Sequence, residues 1–311
     1  MIADREKRIQ NVIAGSRLLL PVMLAYTCFV WVFAGAITNM WWPQFLLFFV
    51  SCCFVMEINN SNAFLRVYSR MMVSCFAVLT LMTGLFPNPT AFLAQTCFVL
   101  FLFFLFRGYQ DSRCPGTMFY AFIFLSLSSM AAAPVLYMVP VAWILMTFNV
   151  QATGWRSFCG SLLGLLLPYF YWGCYMLYMR DGLESATAHF SSLVPQGVES
   201  MAQLPVARWL FLIFCAIYMV CGYLHFVRYS YQDKVKVKMM FYTMLWLDLC
   251  LIALIVVFPS CYAPLALMLC GGVCGPMSHF IMFTHNRPAT VMFFIMTAAA
   301  LTLTLYNAFM I

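Results

Sequence analysis

The chain has 311 residues, of which 65% are hydrophobic and only 8% charged, with a formal net charge of +7. A water-soluble protein of this length has too little polar surface to cover so much apolar side chain, and ordinary soluble domains carry roughly a quarter charged residues. The basic residues sit at the ends of apolar runs and do not interleave with aromatics, which argues against a nucleic-acid partner and for a membrane.

Residues 1–17 carry both signs of charge, and no cleavage site follows the first apolar run. They read as a cytoplasmic lead-in and retained anchor. The apolar runs that follow predict helices at roughly 18–38, 43–58, 71–86, 91–107, 117–133, 134–150, 157–179, 207–228, 239–258, 262–283 and 289–309. A spanning helix needs about 20 apolar residues, so about eleven of them would use about 220 residues and leave only short connections. The expected fold is therefore all-α, a polytopic transmembrane helical bundle occupying 1–311 as a single domain.

Charge assigns the sides. Fourteen of the sixteen Lys and Arg residues fall on alternate gaps between these runs, and only Arg180 and Arg208 do not. By the positive-inside rule the gaps holding Arg66 and Arg70, Arg107 and Arg113, Arg156, Arg228 to Lys238, and Arg287 are cytoplasmic. The N-terminus is then inside and the C-terminus outside. The joint through Ala131-Ala132-Ala133-Pro134 also admits a re-entrant hairpin over 117–150.

Gly160 with Gly164, and Gly271 with Gly275, form GxxxG pairs that let helices approach closely. Pro140, Pro168 and Pro276 fall inside predicted spans and suggest kinks. In the long outer gap, 180–206, Leu183, Ala186, Phe190 and Leu193 recur at helical spacing, which suits a helix lying on the outer leaflet.

Few residues offer chemistry. Asp248 lies near the middle of an apolar run, where a charge costs at least roughly 2.5–3.5 kcal/mol. It is a candidate proton or cation site, and His279 in the next run is its candidate partner. The stretch Glu57-Ile58-Asn59-Asn60-Ser61-Asn62, with Arg66 and Arg70 following, is the most polar one at a membrane boundary. Asn and Ser there can cap a helix, and arginines can clamp a phosphate. Together with Arg156, these residues outline a cytoplasmic site for an anionic headgroup. On the outer gap Asp181, Glu184, His189 and Glu199 offer acid or base groups. The fourteen cysteines lie almost all inside apolar runs and form no CxxC, and the four histidines form no HxxxH, so neither a metal nor a cofactor is predicted.

The run Trp155-Arg156-Ser157-Phe158, followed by Leu163-Gly164-Leu165-Leu166-Leu167-Pro168-Tyr169-Phe170, resembles an uncharacterised family of Bacteroidetes polytopic integral-membrane proteins. The stretch from Glu57 to Arg70 resembles it too. The resemblance implies a multi-pass protein of the bacterial inner (cytoplasmic) membrane and carries no assigned activity. The span number, the cytoplasmic N-terminus and the longer outer gap after the seventh run are also similar to the GT-C type of polyprenyl-phosphate-dependent glycosyltransferases. Those enzymes have an acidic residue on a substantial first outer loop; here that loop is about 39–42 and has none.

Three functions are compatible with these residues. The first is handling of a lipid-linked phosphorylated substrate, a polyprenyl phosphate, with glycosyl transfer as its reaction. The second is a non-catalytic assembly subunit with a membrane-protein partner. The third is a proton-coupled transporter using Asp248.

Overall fold

The computed structural model describes residues 12, 13, 15–66, 69–152, 154–178, 182–195, 204–229, 231, 233–284 and 287–310. Every element among them is helical. In chain order these are α1 Leu19–Phe33, α2 Trp42–Asn62, α3 Met71–Met82, α4 Pro89–Arg107 and α5 Pro115–Ala131. A 3-10 turn, Ala133–Tyr137, leads into α6 Met138–Phe148. There follow α7 Trp155–Tyr178, the short α8 Gly182–Ser191, α9 Val206–Tyr229, α10 Val235–Val257, α11 Tyr262–Phe283 and α12 Arg287–Met310.

Proline marks several helix starts. Pro43, Pro89 and Pro115 sit at the first or second position of α2, α4 and α5, where the missing N–H has no helical partner to lose. Pro140 belongs with them, since it falls in the first turn of α6 rather than deep in a span. Pro168 and Pro276 do lie inside α7 and α11.

Seven helices are long and apolar enough to cross a membrane: α2, α4, α7, α9, α10, the segment Pro259–Phe283 and the Ala289–Phe309 part of α12. The chain is a membrane-embedded, multi-pass helical protein. The other predicted runs are also helical but shorter, 15 residues in α1 and 12 in α3. Turns cut them short. Gly35 follows α1 with φ 94° and Gly84 follows α3 with φ 63°, a left-handed conformation that side-chain-bearing residues rarely adopt.

Contacts gather in two compact units. One comprises 1–89, 204–241 and 270–311; the other comprises 90–203 and 242–269. The first has an aromatic core around Trp31, whose ring meets Phe45 at 5.4 Å and Phe86 at 5.0 Å, while Phe48 stacks on Phe76. Gly222 in α9 lies under the Pro276 carbonyl of α11, where an added Cβ would come within 2.8 Å of the oxygen.

The second unit is built on α5 and α7, which run side by side in the same direction. A Cβ at Gly160 would lie 2.6 Å from the Pro115 oxygen, and one at Gly164 would lie 2.3 Å from the Phe119 oxygen. Ser126 Oγ donates to the Leu165 carbonyl at 2.8 Å, and the Ser129 and Tyr169 hydroxyls bond at 2.8 Å. At one end of this unit the Gln110 N–H donates to the Val150 carbonyl at 2.9 Å, joining the two turns that flank the α5–α6 hairpin. At the other end of that hairpin Tyr137 donates to the Leu193 carbonyl and stacks on Phe258, just past the end of α10.

Candidate functional site

The polar end of α2 is held by Asn59. Its Nδ2 donates to the Ser69 carbonyl at 3.0 Å and its Oδ1 accepts the Leu65 N–H at 3.3 Å, so one buried amide pins both ends of the following loop. Ala63 ends the helix in the left-handed region with φ 51°. Asn62 turns back on its own helix to the Ile58 carbonyl, and Glu57 is exposed. Ser69 Oγ accepts the N–H of Met71, the first residue of α3, and Arg70 is the N-cap of that helix.

This loop delivers Arg66 to a partner that sequence reasoning did not single out. Arg66 Nε donates to Asp233 Oδ1 at 2.5 Å, and its Nη2 donates to the Tyr229 carbonyl at 3.3 Å. The guanidinium also sits 5.2 Å from the centre of the Phe283 ring. The other carboxylate oxygen of Asp233 lies 3.7 Å from His279 Nε2. His279 is completely buried among the rings of Phe226, Phe241, Phe283 and His225, at 4.7 to 5.5 Å. The Asp233 side chain is 2% exposed and that of Arg66 28%. Burial pushes the Asp233 carboxyl up, but the donors and charges of Arg66 and His279 outweigh it and hold the group at about 2, below its ordinary 3.8. The Arg66–Asp233 ion pair ties the α2–α3 loop to the α9–α10 loop, and His279 near the end of α11 lies beside it.

In the same unit lies a cavity of about 400 Å³. Leu19 to Tyr26 of α1, Met71 to Val78 of α3, Met277 and Ile281 of α11, and the stretch of α12 from Phe293 to Thr304 line it. Its polar lining residues are Tyr26, Ser74, Tyr218, Thr297 and Thr304, with Cys75; among the described residues no charged one lines it. Ile13, Leu19 and Met71 are in its lining, so Arg17 falls between two lining residues in the chain and Arg70 directly precedes a third. The Ser74 N–H and hydroxyl both donate to the Arg70 carbonyl, fixing the first turn of α3.

The other sequence candidates lie in the second unit. Asp248 is fully buried near the middle of α10. Arg156 is exposed at the start of α7, and Glu184 is exposed in the first turn of α8. Asp181 and Glu199 lie outside the described residues. His189 of α8 packs at 5.3 Å from Trp172 and 6.3 Å from Tyr169, and burial pushes its imidazole down. All fourteen cysteines are free. Among the described residues no three His, Cys, Asp or Glu side chains gather as metal ligands.

The structure thus brings Arg66 and His279 to Asp233, uses Asn59 to hold the loop that carries Arg66, and sets Arg70 directly before a residue that lines the apolar cavity. Asp233 sits directly before Lys234, Lys236 and Lys238, where it reads as one charge on a solvated basic turn; only the loop geometry marks it out. Compared with known protein families, curated proteins and solved structures, the chain matches none.

Proposed function

We propose that the protein is an eleven-span bacterial inner-membrane protein that handles a lipid-linked phosphorylated substrate of polyprenyl type. The observation that carries this reading is an apolar cavity with Leu19 and Met71 in its lining, which Arg17 and Arg70 closely precede in the chain. Its lining suits a hydrocarbon chain, and its volume falls within the range of ligand pockets. These arginines and the N-terminal end of α3 favour an anion there. By the charge pattern this end is cytoplasmic, the N-terminus is inside and the C-terminus is outside.

The α5–α6 hairpin supports the eleven-span count over a re-entrant loop. Its far corner at Tyr137 reaches Phe258, beyond the last turn of α10, and α5 keeps pace with α7 as far as Tyr169. From Trp155 to Tyr169 is about 21 Å of helix at about 1.5 Å per residue, most of a hydrocarbon core about 30 Å thick. The reaction we attach to the substrate is glycosyl transfer, for which Asp181 and Glu184 are the carboxylates to replace first.

Two further readings each have an observation behind them. Phe170, Tyr171, Leu177 and Tyr178 are exposed on α7, which favours an assembly subunit with a membrane-protein partner. The complete burial of Asp248 favours a proton-coupled transporter.

Mass spectrometry of the protein gently purified from native membranes tests the main reading. We expect one phosphorylated lipid per chain, lost in Arg70→Gln and in the cavity-filling Thr297→Phe. Bulk phospholipid alone, together with a stoichiometric protein partner, would move the assignment to an assembly subunit.

A further inference from the structure

His279 is a buried titratable group with no part in lipid binding as described so far. Neither of its ring nitrogens has a hydrogen-bond partner among the described residues, and the same holds for Asp233 Oδ2. These unsatisfied atoms face each other, Nε2 to Oδ2, at 3.7 Å, too far for a hydrogen bond. The charged and titratable groups facing the imidazole are Asp233 from the α9–α10 loop, Arg66 behind it, and His225 of α9 with Tyr229 stacked on it. From α10 it meets Phe241, and from its own helix Phe283.

Imidazole is the side chain whose charge changes between about pH 5 and about pH 8. A proton makes both ring nitrogens donors and sets a cation beside the free carboxylate oxygen. The rings of Phe226, Phe241 and Phe283, centred 4.7 to 5.4 Å away, also lie within the about 6 Å reach of a cation–π contact. A charge-assisted hydrogen bond measures about 2.7–2.9 Å, so the gap closes by about 1 Å. Asp233 is the fixed side, because Arg66 holds it and is itself bonded to the Tyr229 carbonyl. The end of α11 is the freer one. Pro276 has no N–H to give to the Gly272 carbonyl, and its own carbonyl is set against Gly222 of α9 as a pivot.

Beyond that pivot, Met277 and Ile281 line the apolar cavity, two residues on either side of His279. Two residues turn a helix by about 200°, so both point away from Asp233. Resting on the lipid-binding reading above, we infer that His279 and Asp233 form a proton switch on the cavity. A proton taken up at His279 pulls the end of α11 onto Asp233, withdraws Met277 and Ile281, and widens the cavity for a lipid tail.

The test is binding of farnesyl methyl phosphate to the full-length protein in phosphatidylcholine nanodiscs at about pH 5.5 and about pH 8. This diester keeps one negative charge across that range, so the probe itself does not titrate. Wild type is expected to bind it about tenfold tighter at the lower pH. His279→Gln and Asp233→Asn should bind at the wild-type pH 8 level at both values, which also shows that they are folded. His225→Gln should keep the wild-type response. Nitrogen-15 NMR of wild type labelled in its four histidines reads the proton directly, and decides the matter if those variants do not fold. His279, assigned by the signal lost in His279→Gln or by its coupling to neighbouring rings, should carry two protonated nitrogens at the lower pH and one at the higher. Equal or weaker wild-type binding at the lower pH overturns the switch and leaves the lipid reading standing. So does a response that persists in His279→Gln, or a His279 that stays neutral at both values. Binding of the probe at neither pH overturns the lipid reading and the switch with it.

Discussion

At the scale of single residues, Asp233 sets the chemistry of the polar corner. A carboxylate taken out of water must be neutralised or paired, and here one oxygen is paired with Arg66 while the other lies 3.7 Å from His279 Nε2. Its folded-state value of about 2 lies below the ordinary 3.8, so the charged form is favoured by folding. The stability it contributes is then fully present above about pH 4 and lost as pH falls through about 2. Thermal unfolding in detergent should show that acid limb, and Asp233→Asn should remove it. The same variant should cost about 1.5–3 kcal/mol at neutral pH, nearer the lower figure because Arg66 keeps some contact with water. An unchanged melting temperature at pH 7 would show that the ion pairs do not hold the corner. Arg66, Asn59 and His279 were legible as candidates because polar residues at a membrane boundary are few. That Arg66 and His279 meet at Asp233 was not, since an aspartate beside three lysines carries no sign of burial, whereas Asp248 stands out as the carboxylate deep inside an apolar run.

Among elements, the α5–α7 pair has the closest backbone approach described above. Gly160 and Gly164 place the α7 backbone against the carbonyls of Pro115 and Phe119, and backbone cannot move aside as a flexible side chain can. Gly164→Val should therefore cost about 1–3 kcal/mol or more and lower the melting temperature, while the same change at Gly173, which faces open space, should be tolerated. Equal effects at both positions would mean that the pair is not packed as described. The GxxxG spacing announced a close contact, but spacing cannot name the partner helix. Nor does any glycine pair announce the approach of Gly222 to Pro276, because one small residue suffices where the facing chain is a bare carbonyl. Helix ends were read less well than helix positions. The apolar runs at 18–38 and 71–86 continue past Phe33 and Met82 because the turns at Gly35 and Gly84 are themselves apolar, and hydropathy cannot tell a buried turn from a helix.

For the whole molecule, each short helix decides on which side of the membrane it leaves the chain. Helices stand at all eleven predicted places, yet α1 and α3 alone measure about 22 and 18 Å, short of a core about 30 Å thick. The charge pattern asks every one of them to cross, with the turns at 34–40 and 83–88 completing the passage. The cavity reading depends on the same point, because Arg70 greets a lipid phosphate from the cytoplasmic leaflet only if α1 and α2 both cross before it. The most direct measurement is a pair of fusions truncated after Arg70, one to a fluorescent protein that matures in the cytoplasm and one to alkaline phosphatase, which is active only outside. Eleven spans predict a fluorescent, phosphatase-silent result. If only the seven long helices cross and the N-terminus is inside, α2 alone precedes the junction; phosphatase activity without fluorescence would then place Arg66 and Arg70 outside and contradict the account.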